Sequence, residues 1–184
     1  MQKTRPVVIM AEIAIMAALA FILDLLTLLK FWPQGGSISL AMLPIFVMAL
    51  RRGLKPGLLT GLIYGILNWN YDPYIVHWLQ GLIDYPIAFF VVGFAGLITV
   101  KEEMPRWKQA LYITLAVLIG SVLRFAAAFT SGIVWFGIYA PEGTPVAWYS
   151  FTYNISYLGP TFLVCLGAIL LLANVNKRIL HPNA

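Results

Sequence analysis

The sequence predicts an all-α membrane protein with six transmembrane helices and both termini in the cytoplasm. Three observations carry that expectation. The 184 residues are 61% hydrophobic and only 10% charged, whereas a soluble domain carries about 25% charged residues. Such a chain lacks the polar surface to cover a globule in water, and lipid is the simple alternative. The apolar residues gather into six blocks, and the basic residues fall into alternate connections between them, as cytoplasmic loops require.

The blocks follow in order. The first runs from Val7 to Leu29, long enough to span, since about 20 residues suffice. Lys3 and Arg5 before it resemble the start of a secretory signal, but the apolar stretch is too long for one, so it reads as a retained helix. The second, Ser37 to Leu50, and the third, Leu54 to Leu67, are short. They form either two crossings or a re-entrant pair. The fourth runs from Trp78 to Val100, the fifth from Ala110 to Ile138 and the sixth from Trp148 to Ala173. The fifth exceeds a simple span, so it is tilted or its end enters a loop. No repeat, linker or second domain interrupts residues 1–184, which read as one transmembrane domain.

The charges set the orientation. Lys3, Arg5, Arg51, Arg52, Lys55, Lys101, Arg106, Lys108, Lys177 and Arg178 occupy the amino end, two alternate loops and the carboxyl end. The opposite loops hold only Lys30, and Arg124 lies inside a block. The net charge of +5 is therefore a mark of membrane orientation rather than of nucleic-acid binding.

Several chemistries are excluded. There is no GxxxxGK[ST] loop and no HExxH or Cys/His metal spacing. A GxSxG elbow is also absent. Cys165 is the single cysteine, so no internal disulfide forms, and it reads as packing. The two histidines, His77 and His181, fall on opposite sides, which rules against a histidine dyad. Asp84 with Tyr85 or Tyr74 is the one set that an embedded enzyme would have to use. The expectation is no enzyme, no metal and no cofactor.

Small residues mark helix contacts, because burial from water does not drive association in lipid. Gly57, Gly61 and Gly65 form a small-xxx-small ladder that reads as internal packing. Ala14 and Ala18, with Ala11 and Ala17 nearby, form a stripe on the first helix that suits either internal packing or another protein.

Aromatic residues are lopsided. Trp32, Trp69, Trp78, Trp135 and Trp148 fall on the outer side with Tyr71, Tyr74, Tyr139, Tyr149, Tyr153 and Tyr157, and only Trp107 falls on the inner side. Interfacial belts occupy both faces, so a belt explains part of this cluster and an outward-facing aromatic pocket the rest. Such faces attract cationic or flat heteroaromatic ligands.

Glu12, Asp24, Asp84 and Arg124 lie inside apolar blocks, where charge is costly and faces a partner or cavity. Glu12 is near enough to the inner end to reach the interface. Asp24 and Arg124 suit a structural pair. Asp84, beside Tyr85 and after the loop with Tyr74 and His77, suits a bound cation or amino group, or else a pair with Arg124. Asn154, between Tyr153 and Tyr157, offers a donor and an acceptor to a heterocycle, or a cap or helix contact.

Four stretches now carry a resemblance. They are Pro33-Gln34-Gly35-Gly36-Ser37-Ile38-Ser39-Leu40 with Met42-Leu43-Pro44-Ile45 and Leu50-Arg51-Arg52-Gly53; Tyr74-Ile75-Val76-His77 with Leu82-Ile83-Asp84-Tyr85-Pro86; Gly120-Ser121, Arg124-Phe125, Ser131-Gly132 and Tyr139 to Pro145; and Trp148-Tyr149-Ser150 with Tyr153-Asn154. Together they resemble the thiamine-specific S-components of energy-coupling factor (ECF) transporters over nearly the whole chain. The resemblance implies a plasma-membrane subunit with six helices that captures thiamine from outside and performs no covalent chemistry. It implies partnership with a transmembrane coupling protein, met by Ala14 and Ala18, and with two cytoplasmic ATPases. It places the family's acidic ligand position on Asp84 and pocket positions on Tyr85 and Tyr74. Gly132, Trp135, Phe136, Tyr149 and Asn154 fall in the matching block, with His77 and Tyr153 beside these positions.

The chain departs from the family at two places. Ala128 stands where relatives carry a ligand-contacting His four residues after the Arg of the fifth helix. Phe136, not Trp135, occupies the place of a stacking Trp. These departures leave open a weaker thiamine site, a repacked pocket, or an S-component for a related vitamin or a thiamine precursor.

Overall fold

The computed structural model describes residues 6–27, 29–71, 73–175 and 179–180. Lys3, Arg5, Lys177, Arg178 and His181, which entered the charge and histidine arguments, lie outside the described residues, as does Leu28 of the first block. The described residues form helices joined by irregular segments, with one isolated antiparallel bridge among them, between Leu29 and Ile38. The helices are α1 (Pro6–Leu25), α2 (Met42–Arg52), α3 (Leu54–Tyr71), α4 (Trp78–Leu97), α5 (Arg106–Trp135) and α6 (Val146–Val175). A short 3₁₀ turn, Gly137–Tyr139, follows α5.

Four of these helices, α1, α4, α5 and α6, are long and apolar enough to cross a membrane. The second block is helical only from Met42 onward, for 11 residues, a length of about 16 Å and half a bilayer core. Its surroundings explain how so short a helix is tolerated. Met42, Ile45, Phe46, Met48 and Ala49 are almost completely inaccessible, so other helices, not lipid, surround it. Met42, Ile45, Phe46 and Ala49 share one core cluster with Ala17 and Ala20 of α1, Tyr64 of α3, Val92 of α4, Val117 of α5 and Cys165 of α6. The third block extends four residues past its expected end, to Tyr71.

The glycine ladder on α3 packs against α4, as the small-residue spacing predicts. A Cβ at Gly57 would lie 3.1 Å from the Gly93 carbonyl oxygen, one at Gly65 would lie 2.6 Å from that of Tyr85, and one at Gly61 would collide with that of Phe89. The backbones of α3 and α4 touch along this line, which fixes the height of Asp84 and Tyr85.

At the opposite end from the aromatic cluster, Glu12 of α1 accepts from Arg52 at 2.6 and 2.7 Å and from Arg51 at 3.4 Å. Arg51 also donates to the Ile179 carbonyl at 3.0 Å. These bonds join α1, α2 and the carboxyl-terminal segment. Ala17 of the alanine stripe is buried, whereas Ala11, Ala14 and Ala18 are exposed.

Candidate functional site

The carboxyl ends of α1, α3 and α5 and the amino ends of α4 and α6 meet around a cavity of about 500 Å³. The segment from Lys30 to Ser37 forms part of its wall. Asp84 is the acid of the α4 wall. Its position depends on an irregular turn: Ile83–Ile87 is π-helical and contains Pro86. Proline has no N–H to give to the carbonyl one turn back, so the regular ladder fails there. The Ala88 N–H instead reaches the Ile83 carbonyl five residues back. This widened turn carries Asp84 and Tyr85.

Asp84 Oδ2 accepts from Gln80 Nε2 at 2.6 Å and from Ser131 Oγ at 2.8 Å. Asp84 Oδ1 is buried and, among the described residues, has no hydrogen-bond partner. One oxygen is thus held by α4 and α5 while the other remains an open acceptor, an arrangement that costs about 1–3 kcal/mol if nothing fills it. Gln80 is almost completely buried. It donates to the Tyr74 carbonyl at 3.1 Å and accepts from the Val76 N–H at 3.1 Å, so it ties the loop before α4 to the acid.

The aromatic wall is made mostly of tyrosines. Trp32, Tyr64, Tyr71, Tyr74, Tyr85, Phe89, Phe136, Tyr149, Tyr153 and Tyr157 line the cavity. The Tyr85 hydroxyl accepts from the Tyr74 N–H at 2.7 Å. The hydroxyls of Tyr74 and Tyr139 lie 3.0 Å apart, and this bond raises the Tyr74 phenol above its usual range, which keeps it neutral. Tyr153 donates to the Gly35 carbonyl at 2.8 Å and accepts from the Gln34 N–H at 3.1 Å. Trp32 Nε1 donates to Ser156 Oγ at 2.7 Å. These bonds bind the segment between α1 and α2 to α6.

Eight of the residues expected at the site line this cavity: Asp84, Tyr85, Tyr74, Gly132, Phe136, Tyr149, Tyr153 and Asn154. His77 and Trp135 do not. They stack on each other with centroids 5.7 Å apart, and His77 Nδ1 caps α4 by accepting from the Leu79 N–H at 3.2 Å. The tryptophan cluster divides accordingly. Only Trp32 reaches the cavity wall, whereas Trp78 and Trp148 are exposed and Trp69 packs against Gly81 of α4.

Asn154 lines the cavity with its amide already engaged. Nδ2 donates to the Ser150 carbonyl at 2.8 Å, and Oδ1 accepts from Tyr157 at 2.8 Å. Gly132 leaves room for this group: a Cβ there would collide with Ser150 Oγ and lie 3.3 Å from Asn154 Nδ2.

Neither suggested pair of Arg124 forms among the described residues. Its guanidinium lies 4.2 Å from the centroid of the Phe89 ring. Asp24 is bonded instead by Asn68 Nδ2 at 2.5 Å, and Asp84 by Gln80 and Ser131. Neutral donors thus meet both carboxylates: Gln80 from the preceding turn of α4, and Asn68 and Ser131 from neighbouring helices, while the arginine rests on a ring. Ala128 also lines the cavity.

Sequence reasoning missed Gln80, Ser131 and Asn68. Gln80 stands four residues before Asp84, the spacing of neighbours on a helix face. Ser131, quoted above only as part of a resembling stretch, and Asn68 are polar residues in or just beyond apolar blocks, and that placement is the signal for their roles. Among the described residues no group of three His, Cys, Asp or Glu side chains suits a metal.

A bundle of apolar helices enclosing one open carboxylate among aromatic faces defines a solute-binding membrane protein. The chain belongs to the thiamine transporter protein family (Thia_YuaJ), whose model matches residues 10–181. It is 41% identical over 190 residues to the thiamine transporter ThiT of Bacillus subtilis (strain 168), covering 100% of this chain and 99% of that protein. The ThiT of Lacticaseibacillus paracasei is 34% identical over 165 residues, covering 84% of this chain and 81% of its own length. A solved structure of ThiT from Listeria monocytogenes superposes with a TM-score of 0.88 at 28% identity, over 96% of this chain and 98% of that one.

Proposed function

We propose that this protein is the thiamine-capturing S-component of an ECF-type importer and that Asp84 is its anchor for the ligand. Membership of a thiamine transporter family makes it a transport protein rather than an enzyme. The observation that carries the assignment to the cavity is Asp84, a carboxylate that lines a tyrosine-rich cavity and whose buried Oδ1 has no hydrogen-bond partner among the described residues. Thiamine brings a fixed positive thiazolium and an aminopyrimidine. The ring cation suits aromatic faces, where a desolvated contact contributes about 2 kcal/mol. The amino group suits the open carboxylate oxygen. Tyr85, Tyr74, Phe136, Tyr149 and Tyr153 supply the faces, while Gly132 and Asn154 shape the wall between α5 and α6. His77 and Trp135 would act at the rim, stacked beside the entrance rather than in it.

In this reading the chain crosses the membrane six times with both termini cytoplasmic, α2 and α3 completing the count. The aromatic end then faces outward. Exposed Ala14 and Ala18 would meet the coupling protein, and two cytoplasmic ATPases would supply the energy for release inward. Ala128 favours a second reading, an S-component for a related vitamin or a thiamine precursor, because it lines the cavity at the position where the family resemblance leads one to expect a ligand-contacting His.

The test is an equilibrium titration of the purified protein with thiamine, followed by tryptophan fluorescence. Asp84→Asn is expected to weaken binding at least tenfold, about 1.4 kcal/mol. Equal affinity in the two proteins would remove Asp84 from the site. A competition series with hydroxymethylpyrimidine and riboflavin separates the two readings: tighter binding of either than of thiamine selects the second.

A further inference from the structure

Gln80 is almost completely buried, yet it lines the cavity together with Asp84, its neighbour one turn on. Its amide nitrogen is fully engaged inside the protein. Nε2 donates to the Tyr74 carbonyl at 3.1 Å and to Asp84 Oδ2 at 2.6 Å, and Oε1 accepts from the Val76 N–H at 3.1 Å. A carbonyl only accepts and an N–H only donates, so this amide has one orientation. Gln80 therefore presents a donor to residue 84, and the atom that meets it must accept. Ser131 Oγ donates to the same oxygen at 2.8 Å, so both acceptor positions of Oδ2 are taken. Oδ1 is buried and has no hydrogen-bond partner among the described residues.

We propose that Gln80 is a positioning residue that sets the polarity of the cavity at residue 84: it holds Oδ2 as a filled acceptor and leaves Oδ1 as the atom offered to the ligand, so that the site takes a ring edge carrying an N–H donor and rejects one carrying a carbonyl. This rests on the reading of Asp84 as the ligand's anchor. The exocyclic amino group of an aminopyrimidine donates to Oδ1. An oxo group in its place sets two acceptors against each other in a desolvated site. The same logic fixes what an amide at residue 84 does. In Asp84→Asn, Gln80 still demands an oxygen at the Oδ2 position, so the side-chain NH2 takes the place of Oδ1. The polarity is then reversed rather than merely lost. Ser131 cannot impose this alone, because a hydroxyl donates or accepts as required.

The experiment measures affinities for thiamine and for oxythiamine, in which a carbonyl replaces the amino group. The proteins are the parent, Asp84→Asn, Gln80→Met and the double variant Gln80→Met/Asp84→Asn. Both ligands carry the same thiazolium, so the ratio of the two affinities cancels general damage, including the loosening of the Tyr74–Val76 loop in Gln80→Met. Lys30 and Arg124 also line the cavity and can donate to a carbonyl, but they are the same in every variant. The parent is expected to prefer thiamine by roughly a hundredfold, as a site with a charged acceptor does. Gln80→Met should lower that preference to about tenfold or less. Asp84→Asn should bind oxythiamine more tightly than thiamine, and the double variant should show little preference. A preference in Gln80→Met that stays within about twofold of the parent overturns the proposal and leaves Asp84 as the anchor. If Gln80→Met does not fold, the sign in Asp84→Asn carries the test, and continued preference for thiamine there overturns it. A parent that prefers oxythiamine also overturns it, since Oδ1 would then be a donor. Failure of the parent to bind thiamine at all is a separate outcome: it removes the thiamine reading, and this proposal with it.

Discussion

At the scale of single residues, the cavity is organised by hydrogen bonds that leave one acceptor over. Gln80 and Ser131 hold one oxygen of Asp84, and the other is buried without a protein donor among the described residues. Tyr153 has a different task. Its hydroxyl makes two bonds to the segment between α1 and α2, at Gly35 and Gln34. Tyr153→Phe removes both, at about 0.5–1.5 kcal/mol each. Stopped-flow measurements on that variant should show faster thiamine dissociation with the aromatic face intact. An unchanged off-rate would mean that these bonds do not hold the segment over the ligand. Gly132→Val should repack the α5–α6 contact at Ser150 and Asn154, at about 1–3 kcal/mol for overpacking. It should lower both the thermal midpoint in detergent and the affinity. A stable variant with normal binding would remove Gly132 from the account.

At the scale of elements, two irregularities place the site. The π turn at Ile83–Ile87 arises from Pro86, and the α3 glycine ladder lets that turn lie against a neighbouring backbone. The ladder was legible in the sequence because a four-residue repeat of glycine has few other uses in lipid. The π turn was not, since a proline inside an apolar run signals a break without saying whether the helix kinks, widens or stops. The pairing of Arg124 was also illegible: opposite charges in one bundle suggest a bond, but the neutral donors Asn68, Gln80 and Ser131 reached the carboxylates first. The tryptophans misled for a related reason. Composition placed them at one end, but only the packed helices separate an indole in the wall, Trp32, from exposed ones such as Trp148. Gly61→Val should force α3 from α4 at the Phe89 carbonyl and lower the thermal midpoint. Gly167→Val, where no heavy atom lies within 4 Å of an added Cβ, should leave it unchanged. Equal effects of the two would show that the ladder is not a close contact.

At the scale of the whole molecule, composition counts six blocks while four helices meet the length and polarity of a span, because α2 is short and buried and α3, though 18 residues long, is too polar. The alanine stripe divides by burial: Ala17 closes the core, and Ala14 and Ala18 face out. Small exposed residues on an apolar helix leave room for another helix to approach. Ala14→Trp with Ala18→Trp should therefore reduce co-purification with an ECF coupling protein and abolish uptake by vesicles. Thiamine binding by the isolated subunit should persist. Normal uptake would show that the partner docks elsewhere.

The central claim is that this cavity captures one thiamine. Native mass spectrometry of the purified protein, before and after thiamine is added, tests it most directly. The account predicts a single adduct with the mass of thiamine that survives buffer exchange in the parent and is lost in Asp84→Asn. A parent spectrum without that adduct at saturating thiamine, or one dominated by another small molecule, would contradict it.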